Sequence, residues 1–180
     1  MKIKTSPNVY EPREDTYLLL DVVKRLKANK ALEIGIGTGI ISLYLARNCR
    51  EVHGVDINPE VINLAKQNAK INGIRNVKFW ISDLFSNVKD TYDLIIFNPP
   101  YIPGKAKKEI EKSWAGGKNG REIIENFLRN VRNYLQPNGK FFILVSSFNN
   151  PEYLIEKYSL KIVKNTSLFF EKLFVLEGYK

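Results

Sequence analysis

Glu33-Ile34-Gly35-Ile36-Gly37-Thr38-Gly39 is the stretch whose reading decides the fold. Residues 31–34 end a short apolar run, and residues 39–47 carry apolar side chains at helical spacing, so the glycines occupy a strand-to-helix turn. Doubly wound α/β folds hold nucleotide-like ligands at such turns, because glycine lets the backbone approach the ligand without a side chain in the way. A dinucleotide fingerprint needs its third glycine at position 40, which is Ile40, and the lysine of a P-loop is missing. Glu33 places a carboxylate at the strand end, which repels a pyrophosphate and suits a cation. S-adenosylmethionine fits that description, with a sulfonium and an amino group and no phosphate.

Outward from this turn, apolar runs alternate with helical patterns, the signature of parallel strands joined by crossover helices. A helix is predicted over residues 14–27. A second strand spans 52–57, and Asn58-Pro59-Glu60 caps a helix with proline at its first position, running to Asn72 before Gly73 stops it. Strands follow at 77–81 and 93–97. A loop rich in Lys, Gly and Pro fills 98–120, a helix spans 121–135, and Pro137-Asn138-Gly139 turns into a fifth strand at 140–145. After a short helix at 151–158, strands at 160–164 and 168–178 are joined by only a few polar residues. So short a connection permits an antiparallel hairpin and no parallel crossover.

The chain has 180 residues, 44% of them hydrophobic, with one Cys and one His. That composition makes one globular domain, 1–180, large enough to hold a core without cross-links. Cys49 and His53 alone build neither a tetrahedral zinc site nor an intrachain disulfide, so no resident metal is expected and the setting is cytoplasmic and reducing. The apolar runs are too short to span a membrane, and residues 1–12 hold no signal sequence. The net charge of +9 invites a nucleic-acid reading. It is concentrated in residues 1–30, net +3, and residues 102–140, net +5, while 31–101 is neutral. The domain thus divides into a cofactor-covering N-terminal segment, a cofactor half, a basic substrate loop with its helix, and the last strands from 141 to 180.

Two further acids stand at strand ends. Asp56 lies 21 residues after Gly35, where an acid reaches a ribose diol in this topology, and Asp83 follows the third strand, placed for an adenine amino group. With their neighbours Ile57 and Leu84 they complete a cofactor set of Glu33, Gly35, Gly37, Gly39, Asp56 and Asp83. Asn98-Pro99-Pro100-Tyr101 then leaves the fourth strand beside that set. A conjugated amine or amide nitrogen is a poor nucleophile until its hydrogens are held and its geometry is biased toward tetrahedral. The Asn98 side-chain oxygen and the Pro99 carbonyl can accept those two N–H bonds, and Tyr101 can stack on the planar group. An adenine amino group and a glutamine amide both meet this geometry. His53 reads as structural.

These motifs resemble those of the class I methyltransferases, which implies a seven-stranded, Rossmann-like, mostly parallel sheet ending in an antiparallel hairpin. Residues 9–17, Val-Tyr-Glu-Pro-Arg-Glu-Asp-Thr-Tyr, and residues 116–122, Gly-Gly-Lys-Asn-Gly-Arg-Glu, resemble the short archaeal and eukaryotic branch of the HemK/PrmC protein-glutamine methyltransferases. The resemblance implies methylation at N5 of the G-G-Q glutamine of a class I peptide-chain release factor. It also implies that Thr16 and Asn98 help to hold the cofactor, that residues 98–102, ending at Ile102, bind substrate, and that a small zinc-binding activator is the partner. Strand Val77–Ile81, an edge in the usual order and apolar on both faces, is the expected docking place, through Phe79 and Trp80. A methyltransferase acting on adenine or another amino group of RNA or DNA is the alternative.

Overall fold

The computed structural model describes residues 1–104, 116–117 and 119–180. Its centre is one seven-stranded sheet. The strands are β1 (Ala28–Ile34), β2 (Cys49–Asp56), β3 (Val77–Ile81), β4 (Tyr92–Phe97), β5 (Leu135–Ser146), β6 (Lys161–Ser167) and β7 (Lys172–Tyr179), in the spatial order β3-β2-β1-β4-β5-β7-β6. The first five are parallel, and β7 runs antiparallel to both β5 and β6. Helices α1 (Glu14–Val23), α2 (Ile40–Leu45), α3 (Pro59–Ile71), α4 (Glu122–Asn130) and α5 (Pro151–Tyr158) flank the sheet. The doubly wound fold with a terminal hairpin is therefore the one that the sequence predicts. Among the described residues, no helix is long and apolar enough to cross a membrane.

Residues at the centre of the sheet are apolar on both faces because helices cover both sides. Leu32, Leu94, Ile95 and Ile96 are all buried, each contributing about 1.5–3 kcal/mol through removal from water. The α3 cap forms as its sequence dictates: the Asn58 side chain accepts the Glu60 N–H at 2.9 Å, Pro59 takes the first turn, and Gly73 ends the helix at φ +66°.

Several boundaries differ from expectation. Helix α1 ends at Val23, and β1 starts at Ala28, with the Asp93 carboxylate accepting the Lys30 N–H at 2.8 Å. The 121–135 helix is α4 followed by a 3₁₀ turn, Val131–Tyr134. Strand β5 begins at Leu135, before the Pro137-Asn138-Gly139 turn. Leu135 pairs with Tyr92 and Lys140 with Leu94, and the turn residues are absorbed as an irregularity, with Asn138 at φ +64°.

Strand β3 is an edge, but its aromatic residues are not a free docking face. Phe79 is only 6% exposed and fills the space that Gly54 leaves, where a Cβ would lie 2.7 Å from its ring. Trp80 is half-buried, donates its indole N–H to the Asn87 carbonyl at 3.1 Å and meets His53 edge-to-face. Glycine on the neighbouring strand lets the chain cover these rings itself. What β3 leaves open among the described residues is its backbone edge ahead of the Ile81 carbonyl, which accepts the Asn87 amide at 3.1 Å, and the half-exposed Ile81 side chain.

Candidate active site

A cavity of about 960 Å³ lies at the carboxyl ends of the parallel strands, where this topology places ligands. The described residues around it include five carboxylates, Glu11, Asp15, Glu33, Asp56 and Asp83, against one cation, Arg13. Such a lining disfavours a phosphate and favours a positively charged ligand.

The glycine turn forms one wall. Gly39 opens α2 at φ +81°, a conformation that costs an L side chain strain, and a Cβ there would lie 3.1 Å from the Ala65 Cβ. Gly35 and Gly37 also take positive φ and line the cavity. The residues meant to hold the cofactor thus come together: Thr16, Glu33, Gly35, Gly37, Asp56, Ile57, Asp83, Leu84 and Asn98 all face this space. Gly39 does so only indirectly, by shaping the turn.

Glu33 is 2% exposed and accepts hydrogen bonds from both the backbone N–H and the hydroxyl of Ser42, in the first turn of α2. Burial pushes its carboxyl up to about 8 against those bonds, and the nearby Asp56 adds to the rise. It is therefore a largely protonated group near neutrality that a cation would ionise, and not the standing negative charge that its position suggests. Asp56 accepts the Asn58 N–H at 2.9 Å; burial raises its carboxyl, while backbone N–H groups of Asn58, Gly37, Ile57 and Ile36 oppose the rise. Asp83 is exposed at the rim. Leu84 beside it holds φ +45°, and its carbonyl accepts the Ser82 hydroxyl at 2.9 Å, the kind of strained backbone that persists at binding sites.

An N-terminal strap forms the opposite wall. Asn68 on α3 and Asn72, which caps its C-terminus, bind the extended residues 2–4 through backbone contacts of 2.7–3.0 Å, and Asn68 also reaches the Thr38 carbonyl at 2.9 Å. Val9 anchors the strap in the smaller of the two apolar clusters, with Ile36 and Leu43. The strap then passes the cavity from Ser6 onward into α1.

Residues Asn98, Pro99, Pro100, Tyr101 and Ile102 form the remaining side. The Asn98 amide donates to the Asp15 carboxylate at 3.0 Å and lies 3.5 Å from the Thr16 hydroxyl, while its own oxygen is buried and has no hydrogen-bond partner among the described residues. A buried acceptor left open costs roughly 1–3 kcal/mol, a cost that a donor reaching it would remove. The Thr38 hydroxyl, also on the lining, is a second open polar group. Tyr101 is only 8% exposed, so it presents little more than one side of its ring. The chain after it folds back: Ile102 accepts the Gly116 N–H at 2.8 Å, and Gly104 and Gly117 bridge. A Cβ on Gly116 would lie 2.5 Å from the Pro100 carbonyl oxygen, which explains the glycine there, while Gly104 holds φ +145°.

Asp15, Tyr10, Thr38, Asn68 and Asn149 line or support the site without having been singled out in the sequence. Of these, Tyr10 and Asp15 fall within the 9–17 segment. His53 lies apart, with Nδ1 2.9 Å from the Tyr92 hydroxyl and Nε2 3.1 Å from the Glu51 carboxylate, a structural role. The basic loop expected at the mouth falls largely on 105–115 and 118, outside the described residues.

A family model described as the methyltransferase small domain matches residues 1–169. A Methanocaldococcus jannaschii protein bearing the name N5-glutamine methyltransferase is 40% identical over all of this chain and 96% of its own length. The eRF1 methyltransferase catalytic subunit mtq2 of Schizosaccharomyces pombe is 27% identical over 87% of this chain and 80% of its own. Among solved structures, a methyltransferase from Pyrococcus furiosus superposes with a TM-score of 0.75 at 23% identity, covering 99% of this chain and 88% of that one.

Proposed function

Because the chain belongs to the methyltransferase small domain family, among its S-adenosylmethionine-dependent N5-glutamine methyltransferases, we propose that its substrate is the G-G-Q glutamine of a class I peptide-chain release factor. The fission-yeast relative's name, which gives eRF1 as its target, supports that substrate. The observation that carries the reading is the open, buried oxygen of Asn98 at the end of β4.

The acidic cavity and the Thr38 hydroxyl on its lining fit the cofactor. Glu33 and the glycine turn hold its methionine end together with Thr16. Asp56 and Ile57 hold the ribose, and Asp83 and Leu84 the adenine. When bound, S-adenosylmethionine supplies a methyl group activated by an adjacent sulfonium.

The chain's own part is to prepare the nitrogen. A glutamine amide is planar, its lone pair shared with the carbonyl. The Asn98 oxygen accepts one amide N–H and the Pro99 carbonyl the other, which holds the nitrogen in place and favours a tetrahedral geometry. Pro99 and Pro100 fix the direction of that carbonyl, Tyr101 packs on the amide plane, and Ile102 lies beside the entering chain. Asn98→Ala tests this role: turnover should vanish while calorimetric cofactor affinity stays within a few-fold, and retained turnover would remove Asn98 from it.

The open backbone edge of β3 supports a second subunit, the small zinc-binding activator, pairing there as an added strand. With Phe79 packed inside, the test falls on the exposed Ile81. Ile81→Pro should abolish co-purification of the activator, and unchanged co-purification would move the interface elsewhere.

A further inference from the structure

We propose that Asp15 is the positioning residue that sets which end of the Asn98 amide faces the substrate. The proposal rests on the reading of Asn98 as the acceptor of the substrate N–H.

A side-chain amide has an oxygen end and an NH₂ end of nearly the same shape, and nothing in its own bonding says which end points into a cavity. Its neighbours decide. The Asp15 carboxylate has acceptors only, so the end of Asn98 that meets it at 3.0 Å must be the NH₂. The oxygen is thereby turned to the other side, where it is buried and without a partner among the described residues. A hydroxyl in place of the carboxylate would donate or accept equally well and would leave both orientations open. In the wrong orientation Asn98 would present N–H to the N–H of the substrate, two donors facing each other.

The setting of Asp15 is that of a group held for this purpose. It is 4% exposed, and its contacts are with side chains: the Tyr10 hydroxyl donates to it at 3.1 Å, the Thr16 hydroxyl at 3.4 Å, and Asn98 at 3.0 Å. Although it stands in the first turn of α1, none of these bonds caps a helix N–H. It makes no ion pair among the described residues. A buried carboxylate costs several kcal/mol unless hydrogen bonds hold it, and Asp15 is held by donors drawn from the strap, from α1 and from the end of β4. It therefore couples closure of the N-terminal strap to the orientation of Asn98.

The test compares wild type, Asp15→Ala, Asp15→Asn, Asn98→Asp and the exchange Asp15→Asn/Asn98→Asp for methyl transfer to a release factor, for cofactor affinity, and for hydrogen exchange of the Asn98 side-chain NH₂ by NMR. Asp15→Ala should lower kcat about 100-fold, the cost of a misplaced reacting group, with cofactor affinity within a few-fold and the NH₂ no longer protected. Asp15→Asn can donate as well as accept, so it leaves both orientations of Asn98 open and should give a kcat between those of Asp15→Ala and wild type. Asn98→Asp sets two carboxylates face to face and should be inactive. In the exchange, the Asn at 15 donates to the Asp at 98 and leaves the other oxygen free, which should restore roughly tenfold, the size of coupling between neighbouring groups. An Asp15→Ala enzyme within a few-fold of wild-type kcat, or an exchange no faster than Asn98→Asp alone, would overturn the proposal. A wild type silent toward glutamine would instead overturn the substrate reading, and the NH₂ protection in Asp15→Ala would then decide this inference.

Discussion

The side chain of Asn149 donates to the Tyr101 carbonyl at 2.7 Å and to the Gly120 carbonyl at 3.0 Å, joining the end of β5 to both ends of the substrate loop. Its own oxygen accepts the Ser146 N–H at 2.8 Å, so its orientation is fixed. Asn149→Ala removes the brace and leaves two buried carbonyls without partners, at about 1–3 kcal/mol each. If the segment it holds binds substrate as proposed, turnover should fall roughly 10- to 100-fold with cofactor affinity little changed. Kinetics beside calorimetry on the same preparation checks this, and equal losses in both would locate Asn149 in cofactor binding instead.

Gly116 offers a purely steric test. With a Cβ placed 2.5 Å from the Pro100 carbonyl oxygen, Gly116→Ala must push the loop off the Pro100–Tyr101 backbone. Activity is expected to be lost while thermal stability, set by the distant sheet, changes by no more than a few degrees. An active Ala variant would show that the loop need not pack there.

The strap should be separable from the core. Asn68→Ala removes hydrogen bonds to Lys4 and to the Thr38 carbonyl, a loss of about 1–3 kcal/mol, and so a fall in Tm of several degrees for a chain of this size. Cofactor affinity should fall with it, because the strap closes one wall of the cavity, and N-terminal amides should exchange faster while those of β1 and β4 stay protected.

Glu33 gives a pH dependence with a definite sign. Its carboxyl ionises near 4.5 in an unfolded chain and is pushed up to about 8 by burial in the fold, so folding retains a proton between those values. The stability this contributes is full below 4.5 and is lost as pH rises through about 8. A cationic ligand favours the ionised form. Cofactor binding should therefore tighten as pH rises toward 8, releasing a proton that calorimetry in buffers of different ionisation enthalpy detects. Glu33→Gln should flatten both profiles, and a wild type with pH-independent affinity and no proton release would refute the coupling.

Much of the fold is legible because it rests on local chemistry. Asn58 and Pro59 cap α3 as written, the apolar runs become strands, and the short link before β7 forces a hairpin. The misread places are those where tertiary partners decide. The turn residues 137–139 interrupt β5 without ending it, since pairing resumes at Lys140, and Phe79 reads as an exposed docking residue because the gap beside Gly54 is visible only in three dimensions. In the site, glycines, strand-end acids and the Asn98 segment could be located by spacing. Asp15 could not, because an acid in a first helical turn is common for reasons of helix charge alone. The asparagines at 68, 72 and 149 act through backbone groups far away in sequence, which leaves no pattern to read.

Methylation of a glutamine amide by this site can be read directly. Methyl-labelled cofactor should be incubated with the chain, with and without the proposed zinc-binding activator, offered either a release factor carrying G-G-Q or nucleic acid, with the modified atom located by mass spectrometry. The account predicts one methyl group on N5 of the G-G-Q glutamine, absent with Asn98→Ala and absent when that glutamine is replaced. Label in nucleic acid and none on the glutamine would contradict it.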